Sequence, residues 1–127
     1  MNIPEDLSYT VEHLWVRTAE DGSWLAGITD YAQDLLGDIV YVEAPAVGAL
    51  LEAGKPCGLV ESVKTGSDLH APLDGVVNAI NETLQGTPEQ INDAPYDAWI
   101  FKLQPSNPAD ISNLLSAAAY RKLLGKD

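Results

Sequence analysis

The chain has one cysteine, Cys57, among 127 residues, so it cannot form an intramolecular disulfide. No set of Cys and His residues has the spacing of a zinc site. No apolar run approaches the roughly 20 residues that span a bilayer. The opening residues, Met1-Asn2-Ile3-Pro4-Glu5-Asp6, lack the basic-then-apolar pattern of a secretory signal and the Arg- and Ser-rich character of a transit peptide. A cytoplasmic location is therefore expected, or the mitochondrial matrix if a transit peptide has been removed. Glycine-rich phosphate loops, dinucleotide fingerprints and nucleophile elbows are all missing. Basic residues are scarce, 7 against 19 acidic, for a formal charge of −12. Such a surface repels nucleic acid and anionic membranes; it suits protein partners with basic docking faces, or serves only to keep a concentrated protein soluble.

What is present fits one soluble globular unit, residues 1–127: hydrophobic residues make up 46% and charged residues 20%. Leu14-Trp15-Val16-Arg17-Thr18 and Trp24-Leu25-Ala26-Gly27-Ile28 read as strands, joined through the Asp21-Gly22 hairpin step. A short helix follows over Tyr31 to Leu36, capped by Thr29 or Asp30 and stopped by Gly37. Strand resumes at Asp38 to Glu43, where simple alternation puts Val40 and Val42 on one face and Ile39 and Tyr41 on the other. From Pro45 to Leu103, short β segments are punctuated by Gly, Pro and Asn, which favours a small barrel or sandwich. The apolar spacing of Ile111, Leu114, Leu115 and Ala118 predicts a C-terminal helix over about 108–124. No helix alternates with the strands, so a parallel βαβ sheet with its nucleotide-binding crevice is not expected.

The segment Gly58–Val77 holds the informative chemistry. Its two β-like arms, Gly58–Val63 and Asp68–Ala71, place Lys64 at the tip of a polar turn. Between Arg17 and Lys102 the only other basic residue is Lys55, so a modifying enzyme meets an isolated amine. A deprotonated lysine amine is a nucleophile, and its four-carbon stem makes a long tether. Acylation would move the formal charge from −12 to −13. An ordinary exposed lysine is the bland alternative on turn geometry alone.

Glu61-Ser62-Val63-Lys64, with Ser67-Asp68 and Ala71-Pro72-Leu73-Asp74-Gly75, resembles the lipoyl-lysine signature of the glycine cleavage system H proteins. The resemblance extends through Tyr9–Val16, Gly27–Gln33, Leu36–Val42, Pro88–Asn92, Pro95-Tyr96 and Trp99, covering roughly residues 7 to 124. It implies a mainly β, hybrid barrel-sandwich fold of the lipoyl and biotinyl type, with short peripheral helices and a C-terminal helix. It implies lipoic acid in amide linkage to Lys64, with Glu61 as a recognition charge and Gly75 as a backbone requirement for the lipoylating enzymes. It further implies a carrier with no catalysis of its own, moving an aminomethyl group from a pyridoxal-phosphate glycine decarboxylase to an aminomethyltransferase that uses tetrahydrofolate. Dihydrolipoyl dehydrogenase, with FAD and NAD, would then reoxidise the dithiol.

One departure stands out. Where many family members read His-Glu-Trp, this chain has His13-Leu14-Trp15, so Leu14 removes a counter-charge for the loaded arm. Weaker shielding of that arm from hydrolysis is expected; Glu12 and Asp30 are candidate substitutes, though each reads first as a surface residue. Thr65-Gly66 also departs from the commoner Ala-rich continuation. His13 and His70 belong to no base–nucleophile–acid set and read as packing or surface residues. Asp93 and Asp97 read as solvated or turn-forming. Tyr31, Trp15, Trp24 and Trp99 read as core or part-buried aromatics, and Cys57 as a small core residue. The rival functions are a lipoate donor to other enzyme complexes, a biotin carrier, an unmodified β-sandwich adaptor and an autonomous enzyme. The Val63 and Thr65 flanks, in place of methionines, disfavour biotin.

Overall fold

A computed structural model describes residues 1–125. Its strands are β1 Ser8–Tyr9, β2 Leu14–Thr18, β3 Trp24–Ile28, β4 Ile39–Glu43, β5 Leu50–Leu51, β6 Pro56–Ser62, β7 Gly66–His70, β8 Gly75–Ile80 and β9 Phe101–Pro105. Its α-helices are α1 Asp30–Leu36, α2 Thr83–Gly86, α3 Gln90–Asp93 and α4 Ala117–Leu124. A six-stranded sheet in the order β1-β2-β3-β9-β8-β5 faces a three-stranded sheet in the order β4-β6-β7. Every pairing is antiparallel. The mainly β, barrel-sandwich architecture with peripheral helices is thus as expected.

Hydrophobic alternation decides which faces meet. Leu14, Val16, Ala26 and Ile28 from β2 and β3 join Val42, Val60, Leu69, Val77, Phe101 and Leu103 in the main core. A second, smaller core forms outside the six-stranded sheet, where Ile3, Leu7, Tyr9 and Trp15 pack with Tyr96, Ala117 and Tyr120. It fastens the N-terminal arm to α4, and Arg121 adds a bond to the Ile3 carbonyl and an ion pair with Glu5. Trp15 and Trp24 are buried, while Trp99 and Tyr31 are half-buried. Cys57 is also half-buried against the main core, and burial pushes its thiol up to about 11.

Two local expectations are corrected. The β4–β6 register shifts between Ile39 and Tyr41, a bulge that defeats simple alternation. Ile39 and Val42 both point into the core, while Val40 and Tyr41 are both exposed. The segment expected as one helix over about 108–124 is divided into a 3-10 stretch, Pro108–Asn113, and the α-helix α4. Between them Leu115 exchanges two backbone hydrogen bonds with Tyr9, at 2.8 and 2.7 Å, which requires extended chain there. Ser116 then caps α4 by accepting from the Ala119 amide.

Candidate functional site

The β6–β7 hairpin holds Lys64 out in solvent, and Ser62 builds its turn. The Ser62 hydroxyl oxygen accepts from the amides of Lys64 at 3.2 Å and Thr65 at 3.1 Å. The Ser62 amide donates to the Thr65 carbonyl at 2.7 Å, closing the turn. Val63 donates to the Asp38 carbonyl at 3.0 Å, which ties the turn to the chain entering β4. Three residues are thereby fixed by one buried serine, a side-chain turn that leaves the Lys64 amine without a hydrogen-bond partner among the described residues.

Lys64 nevertheless has a resting surface. A methyl group placed on Gly37 would come 3.2 Å from Lys64 Cε and 3.8 Å from Nζ, so the lysine stem runs over this glycine. Gly37 sits in the left-handed region at φ +83° and ends α1 by donating to the Gln33 carbonyl at 2.9 Å. Thr29 starts the same helix, its hydroxyl accepting from the Ala32 amide at 3.2 Å. Sequence reasoning placed Gly37 only as a helix stop and gave Ser62 no role of its own. The serine two residues before Lys64 was the available signal for the turn.

A mostly apolar cleft of about 100 Å³ lies between α1, which ends at the glycine under Lys64, β2 and the edge strand β7. Leu14, Ile28, Ala32, Leu35, Leu36, Val60 and Leu69 provide its apolar walls. Glu12, His13, Ser67 and Asp68 supply polar groups along its lining. Leu14 is only 1% exposed, so it belongs to the cleft floor and to the core at once. Of the two substitute carboxylates, Glu12 lines the cleft. Asp30 instead accepts from the Asn2 amide at 2.8 Å and from Gln33 Nε2 at 2.7 Å, and it faces a separate depression with Asn92 and Asp97.

His13 stands at the cleft edge in left-handed backbone, φ +69°, a strained choice for a residue with a side chain. Its amide donates to the Thr10 carbonyl at 3.1 Å, its carbonyl accepts from Thr29 at 3.0 Å, and its Nδ1 lies 2.8 Å from the Tyr120 hydroxyl. Burial lowers its pKa from the ordinary histidine value, opposed by the nearby Glu12 carboxylate.

The other candidate positions are dispersed. Glu61 is exposed on the outer face of β6, opposite Tyr41 and Gly66, within the Lys64 hairpin. Gly75 lies in the other sheet, between Leu51 and Pro105. A Cβ there would meet the Gln104 carbonyl oxygen at 2.5 Å and Leu103 Cδ1 at 2.7 Å, so bare backbone is required for packing. His70 pairs with Pro56 at the far end of β7, its Nδ1 buried without a partner. Asp93 and Asp97 are exposed. Among the described residues, no three His, Cys, Asp or Glu are placed to hold a metal ion.

Comparison with known proteins agrees across sequence and structure. A family model described as glycine cleavage H-protein matches residues 7–127. The glycine cleavage system H protein of Methylobacillus flagellatus is 74% identical over 125 residues, covering 98% of this chain and all of that one. That of Thiobacillus denitrificans is 53% identical over 124 residues, covering 98% and 96%. A crystal structure of a glycine cleavage system H protein from Mycobacterium marinum superposes with a TM-score of 0.87 at 40% identity, covering 97% of this chain and 99% of that one.

Proposed function

The chain belongs to the glycine cleavage H-protein family, and on that premise we propose that Lys64 carries lipoic acid in amide linkage as the working arm of a non-catalytic carrier. The observation that carries the proposal is a solvent-held lysine whose stem crosses the end of α1, the helix that walls an apolar cleft. Bound there, lipoic acid supplies a dithiolane that takes up an aminomethyl group and two electrons.

The protein's own residues do the rest. Ser62 fixes the turn so that one amine stands clear for a lipoylating enzyme, and Glu61 offers that enzyme a charge on the same hairpin. Gly37 leaves room for the stem to lie back along α1 toward the cleft. Leu14, Ile28, Leu36 and Leu69 exclude water from whatever folds into that cleft, and Glu12 at its lining answers a positive charge. Tethering raises the local concentration of the reactive sulfurs at each enzyme visited.

The proposed partners are the glycine decarboxylase, the aminomethyltransferase, dihydrolipoyl dehydrogenase and the lipoylating enzymes. Asp38, Glu43, Glu61 and Asp68 are exposed around the hairpin and form no ion pair among the described residues, leaving them for basic groups on those partners. No described helix is long and apolar enough to cross a membrane. We place the work in the cytoplasm.

Intact-mass and peptide mass spectrometry of protein made in lipoate-replete cells, beside Lys64→Arg, test the assignment. A lipoyl group on Lys64 that vanishes in the variant is expected. An unmodified Lys64 despite active lipoylation machinery would favour a β-sandwich adaptor. Leu14 in the cleft floor favours one second reading, a lipoate donor to other complexes, because the site lacks the family's usual carboxylate there. Transfer of the lipoyl group to another complex, without exchange of bicarbonate into glycine in the presence of the decarboxylase, would establish it.

A further inference from the structure

The C-terminal helix reaches the cleft from behind through a single hydroxyl group. Tyr120 of α4 is fully buried, its ring stacked on Tyr9 with centroids 4.7 Å apart and planes 5° apart. Its hydroxyl oxygen lies 2.8 Å from His13 Nδ1 and 2.8 Å from Thr29 Oγ1. Those two residues serve two different walls of the cleft. His13 holds the edge between Glu12 and Leu14, in strained backbone that persists only if its surroundings fix it. Thr29 caps α1, which lends Ala32, Leu35 and Leu36 to the facing wall and ends at the glycine under Lys64.

The hydrogen-bond inventory closes on this junction. Thr29 Oγ1 already accepts from Ala32, so its hydrogen is free to donate to Tyr120, which can then donate to His13 Nδ1. With a proton on Nδ1 the chain reverses, His13 donating to Tyr120 and Tyr120 to Thr29. Burial pushes the phenol up to about 12, so it keeps its proton and can serve in either direction. Thr29 is fully buried, so the loss of Tyr120 would leave its hydroxyl without that partner.

We propose that Tyr120 is a positioning residue whose hydroxyl clamps the His13 edge to the α1 wall, and so sets the cleft that shelters the loaded arm. The inference rests on the reading above, in which the arm on Lys64 folds into that cleft. The test uses the full chain, unmodified and lipoylated, with Tyr120→Phe and a control, Tyr9→Phe. The control removes a hydroxyl of the same core that bonds only the Pro4 carbonyl, at 2.7 Å. Amide hydrogen exchange is followed at Thr29 and Ala32 in unmodified protein. Ammonia release is followed in reduced lipoyl protein loaded with formaldehyde and ammonium, which condense on one thiol with loss of water.

In Tyr120→Phe both amides should exchange about fivefold faster and ammonia release should rise about fivefold, the factor expected for one net hydrogen bond. Tyr9→Phe should leave both near wild type. His13→Asn, which tolerates left-handed backbone, should match Tyr120→Phe and add nothing when combined with it. Wild-type rates in Tyr120→Phe, or equal rises in both tyrosine variants, would overturn the proposal. If wild type released ammonia as fast as the adduct of free dihydrolipoamide, arm docking itself would fail, and the shelter role of Tyr120 with it, whatever the exchange rates.

Discussion

Replacing Leu14 by glutamate would put a carboxylate into the cleft lining, and in this fold it should be costly. Leu14 is 1% exposed and packs in the main core while flooring the cleft. Losing its buried side chain forfeits about 1.5–3 kcal/mol of apolar burial. Placing even a neutral carboxyl there without a partner adds about 1–3 kcal/mol. The sum, roughly 2.5–6 kcal/mol, is a large share of the ~5–15 kcal/mol that holds a domain together. Burial among apolar walls also raises the pKa of the new acid above its unfolded value of about 4.3. The folded variant then binds more protons than the unfolded chain above that pH, so its deficit grows as pH rises, by about 1.4 kcal/mol per unit of upward shift. Urea unfolding of wild type and Leu14→Glu at pH 4.5 and 7.5 reads this directly, each variant compared with wild type at the same pH. The gap should be wider at pH 7.5 and should narrow when the arm carries its ammonium group into the cleft. Slower ammonia release from the loaded variant than from loaded wild type should accompany it. A gap that ignores pH would show the carboxyl reaching solvent, and equal release rates would sink the idea that position 14 governs shielding.

Ser62→Ala should slow lipoylation of Lys64 several-fold while costing only about 1 kcal/mol of stability, since it loosens the turn and little else; unchanged lipoylation kinetics would refute the turn's role. Gly75→Ala should lose at least about 2 kcal/mol in urea unfolding, because its methyl meets the Gln104 backbone, which cannot give way as the Leu103 side chain beside it can. Lipoylation per folded molecule then shows whether Gly75 matters to the modifying enzyme apart from packing. His13 gives a pH dependence of definite sign. Its folded pKa is lowered by burial, so the unfolded chain takes the proton first, and stability present above the unfolded value of ~6.5 is lost as pH falls below it. His13→Asn should flatten that slope in denaturant titrations, and an unchanged slope would assign it to other groups.

The strands Leu14–Thr18 and Trp24–Ile28, the Asp-Gly hairpin and the capped helix α1 were legible because each rests on local chemistry: β-rich runs, a Gly at φ +83° in the turn, and a threonine at the cap. The Lys64 turn was legible for the same reason, as a run of residues whose order alone carries the resemblance. What escaped was set at a distance. The bulge at Val40 depends on the β4–β6 register, which no property of Ile39-Val40-Tyr41-Val42 announces. The break after Asn113 depends on Tyr9, more than a hundred residues earlier, claiming the backbone of Leu115. The same applies to the cleft: Glu12 and Asp30 look equivalent in sequence, and only the Asn2 and Gln33 bonds show Asp30 turned elsewhere.

The second core also has a bearing on synthesis. It joins residues 3–15 to residues 96–124, so a growing chain can assemble the Lys64 hairpin well before Tyr120 exists to stack on Tyr9. A lipoylating enzyme that reads only the hairpin could therefore act on a nascent chain still attached to its ribosome. Completion of the cargo shelter, in contrast, waits for translation of the final helix.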